Sequence, residues 1–141
     1  MTVSESILIE QAVSLGNFFT HIEPNFYGSI LRHSPNFPTL QSKIDTINMI
    51  EEYREDSGAG LPEITIPVSR LIATQPDVQD ELVAMAMRGD LPKGFIPFVV
   101  KMNNKYYIID GHHRTTTEII QKKKEVKVHL LDLDDYASVK S

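Results

Sequence analysis

Apolar positions recur along this chain with two different periods, and the change falls near residue 60. In the first third, Leu8, Ala12, Leu15, Phe19 and Ile22 lie at helical spacing behind Ser4, a suitable cap. The pattern predicts one amphipathic helix that Gly16 weakens and Pro24 ends. Residues 23–39 hold three prolines, Gly28, Phe26, Tyr27 and Phe37, and read as a structured connection whose aromatics are buried. A second helix is predicted from about Leu40 to Arg54, with Leu40, Ile44, Ile47 and Ile50 inward and Glu51, Glu52 and Glu55 outward. Ser57-Gly58-Ala59-Gly60-Leu61-Pro62 breaks that pattern and marks a boundary.

Beyond it the alternation shortens. Glu63 to Pro67 reads as a strand, and Leu71 to Gln75 leads to a helix that Pro76 opens. Val78, Leu82 and Met85 form the inward face of that helix, which stops at Gly89; Met85 and Met87 are packing residues. Phe95 to Lys101 and Lys105 to Ile109 are strands joined by a hairpin turn at Asn103-Asn104. A helix after Gly111 runs to Lys122-Lys123-Lys124, a solvated basic end that suits the helix dipole. Val126 to Leu131 is the last strand, with His129 outward or satisfied within it, and residues 135–141 form a tail. Strands and helices in this order predict an α+β domain over residues 63–134 behind an N-terminal helical extension, residues 1–60.

Composition narrows the function classes. The chain has 141 residues, enough for one compact domain with a real core. A net charge of −5 argues against non-specific nucleic-acid binding or a basic membrane surface. With no cysteine there is no disulfide, thiolate zinc site or sulfur nucleophile. No apolar run approaches the ~20 residues that cross a bilayer. Glu5 and Glu10 interrupt the apolar N-terminus, which does not read as a signal peptide, so a cytoplasmic location is expected.

The chemistry concentrates in Tyr106-Tyr107-Ile108-Ile109-Asp110-Gly111-His112-His113-Arg114-Thr115-Thr116-Thr117. This is an apolar strand, a glycine turn and the start of a helix. Arg114 and, if protonated, His112 and His113 crowd the helix end that already carries positive partial charge. Each such charge is disfavoured by roughly 0.3–1 kcal/mol. An anion on the first-turn N–H groups would reverse that sign, so the stretch reads as a phosphate-binding corner. The plainer alternatives are a pair of surface histidines, Asp110 as a helix cap and Thr74 as another. Adjacent histidines diverge by about 100° on a helix, which disfavours zinc. His21 and His33 lie outside the stretch and read as incidental.

From Ile64 onward the order of motifs resembles the ParB N-terminal/sulfiredoxin superfamily. The match runs through Ile64-Thr65-Ile66-Pro67, Leu71 to Gln75, Ile96-Pro97-Phe98-Val99-Val100, the hairpin, Asp110-Gly111-His112-His113-Arg114 and Val126 to Leu131. It leaves the first ~60 residues unexplained. The resemblance implies a small mixed sheet with packed helices and a nucleotide whose phosphates sit on the Gly-x-x-Arg corner. Arg114 would pair with a phosphate, His113 would donate to one, and Gly111, His112 and the following N–H groups would cradle the anion. Thr115 and Thr116 would add hydroxyls or help hold Mg²⁺, and Thr74 and Gln75 would approach from a second helix N-terminus.

Sulfiredoxins carry their catalytic cysteine where His112 stands, so that chemistry is excluded. Partition proteins of the family carry Gly-Glu-Arg-Arg here and bind CTP. The closest local match is the free-serine kinase branch, which shares the Asp-Gly-His-His-Arg corner and transfers a phosphoryl group from an adenine nucleotide. The implied function is an ATP- or ADP-dependent (or CTP-dependent) phosphotransferase or NTPase with Mg²⁺ near Asp110. Asp110, His113 and Asp77 are its catalytic candidates. One alternative is a non-catalytic nucleotide-sensing module that docks a protein partner or a second copy through residues 4–56; another is a ParB-like nuclease.

Overall fold

The computed structural model describes residues 13–17, 19, 21–33, 37–78, 84, 88 and 96–135. Its architecture is α+β. A five-stranded mixed sheet is built from β2 (Glu63–Pro67), β3 (Leu71–Ala73), β5 (Phe98–Met102), β6 (Lys105–Asp110) and β7 (Glu125–Asp132), in the order β2-β7-β5-β6-β3. Two short strands, β1 (Val13–Ser14) and β4 (Asp77–Val78), pair separately. The described helices are α1 (Phe26–His33), α2 (Leu40–Glu55) and α3 (His112–Ile120).

The central strands are apolar on both sides because both faces of the sheet are covered. Phe98, Val100, Met102, Tyr107, Ile109 and Ile72 point to one face and meet Phe26, Ile30, Phe37 and Ile50 from α1, α2 and the connection between them. Val99, Ile108, Val128, Leu71 and Ala73 point to the other, where Leu15, Phe19 and the end of α3 pack. Residues before and after position 60 therefore share one apolar cluster. The Ser57–Pro62 turn joins them tightly: Ser57, Gly58 and Gly60 all have positive φ. A Cβ at Gly58 would stand 2.9 Å from both the His129 Cβ and the Phe98 ring. No larger residue fits there without displacing the sheet.

The predicted strand at Glu63–Pro67 is present, as is the hairpin. Asn103 (φ 55°) and Asn104 (φ 61°) take the left-handed pair of a tight hairpin turn, and the Asp134 carboxylate accepts both of their N–H groups at 2.7 and 2.9 Å. The predicted second helix also forms, with a capping box between Thr39 and Ser42 fixing its start. Its inward face differs: Thr46 and Ile50 are buried, whereas Leu40 and Ile44 are 65% and 38% exposed.

Other expectations are corrected. Leu15, Phe19 and Ile22 do not share a helix. Val13–Ser14 is a strand, Leu15–Asn17 a 3₁₀ turn, and Ile22 forms a bridge to Ala73 at the sheet edge. Sheet burial replaces helix burial for the same apolar residues. The 23–39 connection contains α1, whose start Asn25 secures by accepting the Gly28 N–H at 3.2 Å. Pro76 does not open a helix, because Asp77–Val78 pairs with Val13–Ser14. The helix after Gly111 ends at Ile120, short of the lysines. The expected Ser4–Ala12 turns, the inward residues Leu82 and Met85, Met87, Gly89, Phe95 and tail residues 136–141 lie outside the described residues.

Candidate functional site

Two parallel strands bring the expected residues together. β3 pairs with β6 in the register Leu71↔Tyr106 to Ala73↔Ile108, so both run out at the same edge of the sheet. Thr74-Gln75 follows one strand and Gly111-His112-His113-Arg114 follows the other. Ligands of α/β proteins favour such carboxyl-terminal strand edges. Gly111 turns the chain with φ 102°, a conformation that lets the strand pass directly into α3 and that L side chains rarely adopt.

His112 locks the two connections to each other. Its Nε2 accepts the Thr74 backbone N–H at 3.0 Å, and the Thr74 hydroxyl donates to the Ile108 carbonyl. Thr74 is thus a cross-strand brace, not the helix cap of the plainer alternative. With Nε2 an acceptor, the imidazole is neutral and Nδ1 carries its proton. Burial, with smaller contributions from His113 and Arg54, pushes its pKa down to about 3. His113 is half-buried, and burial lowers its pKa against the opposing pull of the Asp110 carboxylate. The expectation of up to three cations is corrected accordingly. His112 relieves its conflict with the helix dipole by staying uncharged, and of these three residues Arg114 carries the fixed charge.

Asp110 does not cap the helix. Gly111 occupies that position and has no side chain to offer, while Asp110 Oδ2 accepts the Ser57 hydroxyl at 2.7 Å. Ser57, held at φ 52°, is steadied in turn by His129, whose Nδ1 lies 3.1 Å from its carbonyl oxygen. The sequence expectation that His129 is satisfied within its strand holds. Thr115 and Thr116 are fully buried, and their hydroxyls donate to the Gly111 and His112 carbonyls at 3.0 and 2.7 Å. Those hydroxyls are occupied inside α3 and do not face the corner as expected. The backbone of Asp77 pairs with Ser14. The Asp77 carboxylate lies outside what the structure describes.

A cavity of about 280 Å³ opens beside this corner, with Thr74, Gln75 and Ile109 on the sheet side and Asn25, Tyr27 and Arg54 on the helix side. None of these three helix-side residues stood out in the sequence. Arg54 carries no sequence signal beyond its place at the expected end of the second helix. Burial and the neighbouring Glu51 carboxylate hold the Tyr27 phenol well above its usual pKa. A larger cavity, about 390 Å³, lies beside Arg70 and Lys105; none of Gly111 to Arg114 lines either cavity, and Thr74 and Gln75 line the first.

Among the described residues there is no group of three or more histidine, aspartate or glutamate side chains placed to hold a metal. Nor, among them, is any helix long and apolar enough to cross a membrane. Comparison with protein-family models, curated proteins and solved structures finds no match. The class defined by the fold is a small α+β protein whose parallel strand ends, glycine corner and adjoining cavity converge at one edge of a mixed sheet.

Proposed function

We propose that the chain binds a nucleotide, ATP or ADP (or CTP), and acts as a phosphotransferase or NTPase. The observation that carries this reading is the joined edge: Gly111 in a left-handed turn at the start of α3, tied through His112 to Thr74, beside a cavity that Arg54 lines. Phosphates would rest on the N–H groups after Gly111, with Arg114 neutralising them and His113 donating as a neutral imidazole. Asp110, held by Ser57, would orient the attacking hydroxyl or water. Such reactions need mostly positioning and electrostatics, so this small set suffices. A Mg²⁺ ion would fit Asp110 together with the phosphates, since that ion commonly takes one or two carboxylates, and it would supply charge neutralisation. His112, neutral and buried, would position Thr74 and Gln75. The ParB-like resemblance supports the same reading.

Calorimetric titration with ATP, ADP and CTP in the presence of Mg²⁺ tests it. The expected result is binding of at least one nucleotide, weakened ten-fold or more by Arg114→Ala. No heat with any of the three at millimolar ligand overturns it.

A non-catalytic docking module is favoured by a separate observation. Leu31, Leu40 and Ile44 on α1 and α2 are 42%, 65% and 38% exposed. Exposed apolar residues on these two helices suit a protein partner or a second copy of the chain.

A further inference from the structure

The first sixty residues carry a pattern that the corner alone does not explain. Arg54 stands at the last turn of α2, where a cation is favoured by the helix dipole. Its ion pair is with Glu51, at 3.5 Å, and both side chains are about half exposed, so the pair itself contributes little. It lines the same cavity as Thr74 and Gln75, and its charge reaches the buried His112. Tyr27 lines that cavity from α1. Among the described residues its hydroxyl oxygen is the one buried side-chain polar atom that makes no well-formed hydrogen bond, although the Glu51 carboxylate and the Arg54 guanidinium stand close enough to act on it. A buried hydroxyl left unpaired is costly, and native proteins rarely keep one without a use. A guanidinium and a phenol on one wall, with a threonine and a glutamine on the other, form a recognition set for anionic oxygens once an anion displaces the Glu51 carboxylate from Arg54.

We infer that Arg54 and Tyr27 bind the terminal phosphate of the nucleotide, so that the helical N-terminal segment completes the site begun at the Gly111 corner. The inference rests on the nucleotide reading above and assigns this segment a direct part in ligand recognition. A triphosphate reaches both the corner and Arg54, whereas a monophosphate reaches only the corner. Selectivity for chain length is then set by α1 and α2 and not by the Asp-Gly-His-His-Arg stretch.

The test is calorimetric titration of the full chain with Mg²⁺ and ATP, ADP or AMP, for wild type, Arg54→Ala and Tyr27→Phe. Arg54→Ala is expected to weaken ATP ten-fold or more while changing AMP less than two-fold. Tyr27→Phe is expected to weaken ATP several-fold while changing AMP less than two-fold, because only the longer phosphate chain meets its hydroxyl. A merely structural tyrosine would instead affect both nucleotides alike. If wild type binds ATP and both variants bind it equally well, the inference is overturned and the nucleotide reading stands. Equal losses for ATP and AMP overturn it as well. Absence of binding to wild type defeats the nucleotide reading, and this inference with it.

Discussion

Acidification from pH 7 to pH 4 is expected to destabilise this protein more steeply than its carboxylates alone would, and replacing His112 should remove most of the excess, His113 contributing the rest. The imidazole titrates near 6.5 in an unfolded chain but is held down to about 3 when folded. Between those values the unfolded state takes up a proton that the native state refuses. Stability from this group is therefore complete above pH 6.5 and is lost as the pH falls toward 3. The slope is at most roughly 1.4 kcal/mol per pH unit, on the order of 3 kcal/mol by pH 4. Protonation would also remove the acceptor for the Thr74 N–H and add a charge beside Arg54, so the site should loosen with the fold. His112→Gln keeps an acceptor oxygen without a titratable group. Urea unfolding at pH 7, 6, 5 and 4 should show the wild-type midpoint falling faster than that of the variant. Parallel curves would mean that His112 does not carry this proton linkage.

The largest loss of stability is expected from Phe98→Ala, about 3–5 kcal/mol, enough to approach the total stability of many domains of this size. Phe98 is fully buried at the start of β5, lies 6.3 Å from the Tyr53 ring of α2 and supports the Gly58 turn. Its removal opens a void where the helices before residue 60 meet the sheet after it. Since both share one apolar cluster, far-ultraviolet circular dichroism and tyrosine fluorescence should still report a single coincident transition at lower urea. Two separated transitions would show that the helices and the sheet unfold independently.

What the sequence revealed, and what it hid, follow from how local each signal is. The hairpin at Asn103-Asn104 was legible because two residues that tolerate positive φ sat between two apolar runs. The glycine corner was legible because a buried run ended in Asp110-Gly111 just before polar residues at helical spacing. Helix α1 was hidden because Pro24 and Pro35 bracket it so closely that their breaking signal dominates. Only Asn25 three residues before Gly28, and Phe26 with Ile30 at i,i+4, gave it away. Leu15, Phe19 and Ile22 misled because apolar spacing reports burial, and a strand-and-turn segment lying on a sheet satisfies the same spacing. Leu40 and Ile44 misled in the opposite sense, being apolar at helical spacing yet exposed.

The site divides the same way. Placing Thr74 and Gln75 near Gly111 was within reach of the sequence through the ParB-like resemblance. That His112 faces the protein and not solvent was beyond it, because its fate depends on a backbone N–H some forty positions earlier in the chain. Ser57 was unreadable for the same reason, since Asp110 comes from an element far away in sequence, and Arg54 because the cavity it lines is completed by Thr74 and Gln75. Charge arguments made from residue type alone therefore overcounted the cations at this corner. What survives is a geometry: two strand ends, one left-handed glycine, one fixed guanidinium on α3 and a second on α2.

Backbone amide chemical shifts, followed as Mg²⁺ with ATP or ADP is added, test this account most directly. The amides of Gly111 to Arg114, with Thr74 and Gln75, should move furthest and saturably. Saturable shifts elsewhere, with those amides unmoved, would contradict a phosphate seat at the start of α3.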